Sequence, residues 1–255
     1  MSNNLRYIGI IPARYASSRF PGKPLAMIGG KMMIERVWNQ VSKVLDKVLV
    51  ATDDQRIVDA VKGFGGNVVM TSVNHRSGTD RCREAYEKAG DGEDVIINIQ
   101  GDEPFIQEQQ LQAIMSCFDD PMTEIATLVR PFDENRPIKE LIDPNTPKVV
   151  LDKNHNALYF SRSVIPYVRK AEETDWPKRT AYYTHVGMYA YRAKALAEIT
   201  NLEQSQLELA ESLEQLRWLE NGYKIKAGIT DCATIGIDTP ADIVNAERLL
   251  SQNKY

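Results

Sequence analysis

The 255-residue chain is predicted to be an α/β protein with a mostly parallel sheet. Three observations predict this. Short apolar runs recur at 7–11, 47–52, 67–71 and 94–99. Segments with apolar residues at helical spacing, joined by short connections, separate them. Polar loops rich in charged and small residues follow these runs, as in open sheets that bind ligands beyond the carboxyl ends of their strands.

Tyr7-Ile8-Gly9-Ile10-Ile11 reads as a fully buried first strand. The loop after it, Pro12 to Pro24, carries Arg14, Arg19 and Lys23 among small and hydroxyl residues. Arginine forks and a lysine point charge suit a polyphosphate, and a solvated loop with scattered charges is the alternative. It is not a Walker A loop, since no Gly-x-x-x-x-Gly-Lys-Ser/Thr occurs. Gly29-Gly30 marks a turn, and Lys31 to Leu45 repeats apolar residues as a helix does. The run 47–52 is a second strand, ended by Asp53-Asp54. Asp54 is placed to cap a helix from Gln55 to Phe64, which Gly65-Gly66 stops.

The third strand, 67–71, leads into a second polar loop ending His75-Arg76-Ser77-Gly78-Thr79-Asp80-Arg81. Thr79 is expected as the N-cap of a helix to about Ala89. Free N–H groups there suit an anion or a base edge, or the feature is a plain cap. Arg81 on the first helical turn opposes the helix dipole, which favours a ligand contact. The fourth strand, 94–99, ends in Gln100-Gly101-Asp102-Glu103-Pro104. Asp102 is either a Mg²⁺ ligand beside a triphosphate or the cap of a helix from Gln107 to Phe118. Glu103 is expected to be structural.

From Ile125 the pattern changes. A strand at 125–129 precedes a Pro/Asp/Asn-rich excursion, and 148–152 with 157–162 reads as a β-hairpin. A polar segment, Arg169 to Thr180, breaks the periodicity and has no assigned role. A strand at 185–191, an amphipathic helix from Leu207 to Glu220 and a strand at 224–229 follow. Thr239 as N-cap with Pro240 at the first helical position opens a last helix to about Leu250. His75, His155 and His185 are too dispersed for a zinc site, and only His185, at a strand start, draws notice as a candidate.

Composition is that of an ordinary globular protein, with 43% hydrophobic and 26% charged residues, which excludes wholesale disorder. A net charge of −4 does not suggest a nucleic-acid groove. Cys82, Cys117 and Cys232 show no metal spacing, and so sparse a set points to a reducing compartment. The polar start and the short apolar run after it give no expectation of a signal peptide, and no stretch reaches transmembrane length. The cytoplasm is expected.

Six stretches in order resemble the sugar cytidylyltransferases that activate Kdo (3-deoxy-manno-octulosonate). They are the loop 12–24, His75 to Arg81, Gln100 to Pro104, Tyr159-Phe160-Ser161-Arg162, Leu213 to Arg217 and Gly236-Ile237-Asp238-Thr239-Pro240. The resemblance covers nearly the whole chain. Gln206 and Val164 depart from the family pattern without removing a functional group.

The resemblance implies a Rossmann-like sheet with helices on both faces, of the nucleotide-diphospho-sugar transferase type, and a smaller β-rich dimerisation part. It places a nucleotide-binding domain at 1–130 and 205–255, and a sugar-binding and dimerisation part at 131–204. The implied reaction transfers CMP from CTP to Kdo, releases pyrophosphate and serves lipopolysaccharide synthesis. Another acidic sugar, a sialic acid or an 8-amino analogue of Kdo, is the alternative substrate. Ala13, Arg14, Arg19, Lys23, Ser77, Gly78, Thr79, Arg81 and Gln100 are implied at the nucleotide. Gln100, Arg162, His185, Glu211 and Gln215 are implied at the sugar, and Asp102 and Asp238 at Mg²⁺. Asp102, Asp238, Lys23 and Arg19 are implied in catalysis, and the family forms homodimers. A non-catalytic nucleotide sensor is a rival reading, disfavoured by two carboxylates. A dinucleotide-dependent oxidoreductase is more distant, because no Gly-x-Gly-x-x-Gly turn follows the first strand.

Overall fold

The computed structural model describes residues 5–16, 20–233 and 235–252. The chain divides into two compact units, the first comprising 1–112, 192–200 and 233–255, and the second 113–191 and 201–232. These boundaries differ from those expected. Residues 113–130 and 205–232 belong to the second unit, because the strand at 125–131 pairs in parallel with that at 225–229.

In the first unit the strands are β1 (Tyr7–Ala13), β2 (Met27–Ile28), β3 (Lys31–Met32), β4 (Val48–Thr52), β5 (Val68–Met70) and β6 (Val95–Asn98). The order β5-β4-β1-β6 is parallel throughout. β4 and β6 are buried at every position, which is why they read as unbroken apolar runs. The helices Met33–Val41, Gln55–Gly63 and Gly78–Ala89 connect these strands, each burying an apolar stripe. Asp54 caps the second of them as expected, accepting from the Arg56 amide at 2.9 Å. The third begins at Ser77 and not at Thr79. Ser77 Oγ accepts from the Asp80 amide and Asp80 returns the bond, so a capping box decides the start and Thr79 is buried inside it. β2 and β3 form a small hairpin around Gly29-Gly30.

In the second unit the strands are β7 (Ile125–Pro131), β8 (Lys148–Leu151), β9 (Ala157–Ser161), β10 (Tyr183–Arg192) and β11 (Ile225–Ile229). β11 is parallel to β7, whereas β7–β10, β10–β8 and β8–β9 are antiparallel. The expected hairpin is β8–β9. The polar segment after Arg169 holds two short helical turns and buries Trp176 against Phe132, Leu141 and Tyr182.

The single helix expected over 207–220 is two, Gln206–Glu211 and Gln215–Glu220. Ser212 lies between them at φ 51°, in the left-handed region. Arg162 takes up the carbonyls of Glu211 and Ser212, so the first helix ends there.

Candidate active site

In the first unit the candidate site forms beyond the carboxyl ends of β1 and β6, where an open parallel sheet places its ligands. The loop after β1 is closed by the Gly22 amide, which donates to the Tyr15 carbonyl at 2.9 Å. Gly22 sits at φ 73°, and a Cβ there would meet the Tyr15 ring at 3.1 Å, so the turn into Lys23–Leu25 requires glycine. The Tyr15 ring in turn carries the Arg56 guanidinium 3.2 Å from its centroid.

Lys23 is the centre of this half. Its ammonium lies 2.6 Å from Asp102 Oδ2 and 3.5 Å from Asp238 Oδ1. The loop after β6 reaches this point because Gly101 passes over β1, where a Cβ would stand 2.8 Å from the Pro12 carbonyl oxygen. Asp238 is brought in by the Ile237 amide, which donates to the Asp102 carbonyl at 2.9 Å. Beneath it Ile237 packs with Ile28, Met33, Phe105 and Ala246. The Thr239–Asp242 bonds then start the last helix, as expected.

The two carboxylates already accommodate a positive charge between them. Their hard oxygens suit Mg²⁺ when phosphate oxygens complete the shell. Among the described residues no cluster of three or more His, Cys, Asp or Glu could hold a metal unaided, so a substrate would have to supply ligands. Burial, with the Asp102 charge beside it, pushes the Glu103 carboxyl up to about 7.

The remaining residues expected at a nucleotide are less uniform. Ala13 ends β1, and Arg14 is half-exposed with Nε 3.5 Å from Asp53 Oδ2. A Cβ at Gly78 would meet Pro12 and Asn98 at ordinary contact distance. Gln100 follows β6. Arg81 is not an open fork at the surface. It is 1% exposed, and its guanidinium bonds Thr71 Oγ1 at 2.5 Å and Asp53 Oδ2 at 2.7 Å. Burial explains this reversal: a cation on the first helical turn has turned inward to a carboxylate. Asp53 thus anchors both Arg81 and Arg14. Sequence reasoning missed it, although Asp53-Asp54 at a strand end was a visible signal. Arg19 lies outside the described residues.

In the second unit, Arg162, Glu211, His185 and Gln215 are all half-buried or buried. Ser161 Oγ donates to Glu211 Oε1 at 2.6 Å and the Arg162 amide to Oε2 at 2.9 Å. The Arg162 guanidinium, implied at the sugar, is not a free fork. It donates to the carbonyls of Glu211 (2.6 Å), Pro144 (2.9 Å) and Ser212 (3.3 Å). Arg162 and Glu211 are therefore brought together, but bonded largely to one another's chain segments. Gln215 is buried, and its Nε2 has no hydrogen-bond partner among the described residues.

His185 is packed between Phe160 and Tyr189, each 5.3 Å away by ring centroids, and its Nε2 lies 2.9 Å from Thr127 Oγ1. Desolvation pulls its pKa down to about 4, so the ring is neutral at physiological pH. No local sequence signal pointed to Thr127, because it meets His185 only across the β7–β10 pairing.

The sequence profile of a family described as Cytidylyltransferase matches residues 8–225. A 3-deoxy-manno-octulosonate cytidylyltransferase from Phocaeicola vulgatus is 63% identical over 98% of this chain and 99% of its own. The structure of a CMP:2-keto-3-deoxy-manno-octonic acid synthetase complexed with CTP superimposes with a TM-score of 0.89 at 42% identity, covering 97% of this chain and 99% of that one. A 4-diphosphocytidyl-2C-methyl-D-erythritol synthase from Anaerococcus prevotii shares the fold, with a TM-score of 0.59 at 16% identity over 96% of this chain and 99% of that one.

Proposed function

The chain belongs to the cytidylyltransferase family, and from that premise we propose that it transfers CMP from CTP to 3-deoxy-manno-octulosonate, releasing pyrophosphate. The observation that carries the reading is the meeting of Lys23, Asp102 and Asp238 beyond β1 and β6. A nucleotidyl transfer needs a cationic loop for the phosphates and carboxylates for a divalent ion, and little covalent help. The names of the relatives at high identity favour Kdo over the other acidic sugars.

The reaction is an in-line attack by the anomeric hydroxyl of the sugar on the α-phosphorus, with no covalent enzyme intermediate. The bond from the α-phosphorus to the bridging oxygen breaks, pyrophosphate departs with the electron pair, and the attacking hydroxyl gives up its proton to solvent. Arg14, Arg19 and Lys23 hold the triphosphate, and Arg19 and Lys23 offset the charge that develops on the leaving group. Ser77, Gly78, Thr79 and Gln100 shape the nucleotide pocket, with Arg81 holding it from below through Asp53 and Thr71. Asp102 and Asp238 would hold Mg²⁺, which would supply Lewis-acid neutralisation of the phosphate charge and lower the hydroxyl pKa. Gln100, His185, Glu211 and Gln215 receive the sugar, with Arg162 setting the Glu211 turn.

The product feeds lipopolysaccharide synthesis. A cytoplasmic setting is supported by the free thiols Cys82, Cys117 and Cys232, which suit a reducing compartment. Among the described residues no helix is long and apolar enough to cross a membrane. A homodimer is supported by exposed Leu158 and Tyr167 in the second unit.

The test is pyrophosphate release with CTP or UTP against Kdo, its 8-amino analogue and a sialic acid, with and without Mg²⁺. Turnover should require CTP, Kdo and Mg²⁺ together. Faster turnover with another acidic sugar, or tight CTP binding with no turnover on any, would overturn the reading.

A further inference from the structure

Thr127 is fully buried on β7, facing the place where the β7–β10 register shifts between Val186 and Tyr189. Its Oγ1 stands 2.8 Å from the Met188 carbonyl oxygen and 2.9 Å from His185 Nε2, with the Val186 carbonyl farther off at 3.4 Å. A carbonyl oxygen has no hydrogen to give, and two oxygens at 2.8 Å repel unless a hydrogen lies between them. The single hydroxyl hydrogen of Thr127 therefore points at Met188. Only lone pairs of Oγ1 are left to face His185 Nε2, so the hydrogen of that bond must come from the ring.

The surroundings of the ring agree. Phe160 from β9 and Tyr189 from β10 flank it. The Tyr189 hydroxyl is buried with no hydrogen-bond partner among the described residues, and it does not supply the hydrogen between Oγ1 and Met188. No charged group couples to the ring, and desolvation alone keeps it neutral. The His185 backbone is fixed by its amide, which donates to the Pro147 carbonyl at 2.8 Å. His185 as a residue is half-buried, and Nδ1 has no hydrogen-bond partner among the described residues.

We infer that Thr127 is a positioning residue that holds His185 in the Nε2–H tautomer, so that Nδ1 offers a bare lone pair that takes a hydroxyl of the sugar substrate and turns away its carboxylate. A neutral ring with an acceptor outward accepts from O–H and meets a carboxylate oxygen lone pair to lone pair. The identity of the ligand rests on the proposed function, whereas the tautomer does not.

The test has two arms on the full chain. The protein holds three histidines, so long-range ¹H–¹⁵N correlation resolves each ring, with His185→Gln assigning the signal of interest. At neutral pH His185 should show a pyridine-type Nδ1 and a pyrrole-type Nε2. Thr127→Val should lose this fixed pattern and Thr127→Ser restore it. A wild-type ring protonated at Nδ1 overturns the inference. In steady-state kinetics Thr127→Val should raise the KM for Kdo about tenfold, the scale of one hydrogen bond. The KM for CTP should stay within about twofold, and Thr127→Ser should return the Kdo value. A locked tautomer with an unchanged Kdo KM in Thr127→Val overturns the substrate contact. Absence of turnover with every acidic sugar counts against the proposed function alone, and the spectra still decide the tautomer.

Discussion

The Lys23 ammonium bridges Asp102 and Asp238, at 2.6 Å and 3.5 Å, so one cation from the loop after β1 joins carboxylates 136 residues apart (238 − 102). Without it the two carboxylates would share this corner of the site with no positive charge between them. A lysine suits this place because its ammonium is a compact charge on a flexible stem. In the proposed reaction Asp102 and Asp238 would hold a divalent cation, and the Lys23 ammonium would turn to phosphate oxygens.

Asp102→Asn should lower turnover by about two to three orders of magnitude, since one key electrostatic contact in a transferase site is worth about that much. The substitution keeps the shape and removes the charge, leaving Lys23 with Asp238 alone. Pyrophosphate release at saturating Mg²⁺ measures it, and chelation of Mg²⁺ should abolish the wild-type rate. Near-wild-type turnover in the variant would remove Asp102 from the chemistry.

Gly22→Ala should disturb only the nucleotide loop. The left-handed backbone costs an L-residue about 1–2 kcal/mol, and the new methyl presses on the Tyr15 ring at 3.1 Å. The KM for CTP should rise several-fold while the KM for Kdo stays constant. Equal changes in both would mean that the loop supports the whole protein and not the triphosphate in particular.

How far the sequence could be read follows from where the determining contacts lie. β1, β4 and β6 were legible because burial on both faces leaves nearly continuous apolar runs. Lys23 and Asp102 stood out as charged groups on loops that follow strands, and Asp238 entered only through the resemblance, but their direct ion pairing was not legible, since nothing local says that Ile237 bonds to Asp102. The broken helix at Ser212 was illegible for the same reason, because its stop signal is Arg162, some 50 residues earlier. Arg81 was misread because an exposed-looking cation found a buried carboxylate in Asp53. The unit boundaries moved because β11 pairs with β7, a partnership that apolar spacing cannot announce.

Arg162→Lys should act through the chain as well as the sugar. The guanidinium donates to three carbonyls, on Pro144, Glu211 and Ser212, and an ammonium cannot reach all three in that fork geometry. Hydrogen bonds from charged donors are worth about 1.5–3 kcal/mol each, so a net loss of about 2 kcal/mol is expected. That corresponds to a Tm lower by about 5 °C. The KM for Kdo should rise about tenfold through the displaced Glu211, with the KM for CTP unchanged. A variant with wild-type Tm and wild-type Kdo KM would show that the three bonds hold nothing the reaction needs.

The neutral, buried state of His185 makes stability depend on pH in one direction. In the unfolded chain the ring titrates near 6.5, and in the folded protein desolvation lowers this to about 4. Between those values the unfolded state binds the extra proton, so stability is complete above about pH 6.5 and is lost as pH falls toward 4. The loss from this ring alone should be of order 2 kcal/mol at pH 5. Urea unfolding of wild type and His185→Gln at pH 7 and pH 5 isolates it, because glutamine cannot titrate yet can still donate to Thr127 Oγ1. Wild type should lose about 2 kcal/mol more than the variant between the two conditions. Parallel losses in both proteins would mean that the imidazole is protonated in the folded state, and the hydrogen on Nε2 would then carry no information about Nδ1.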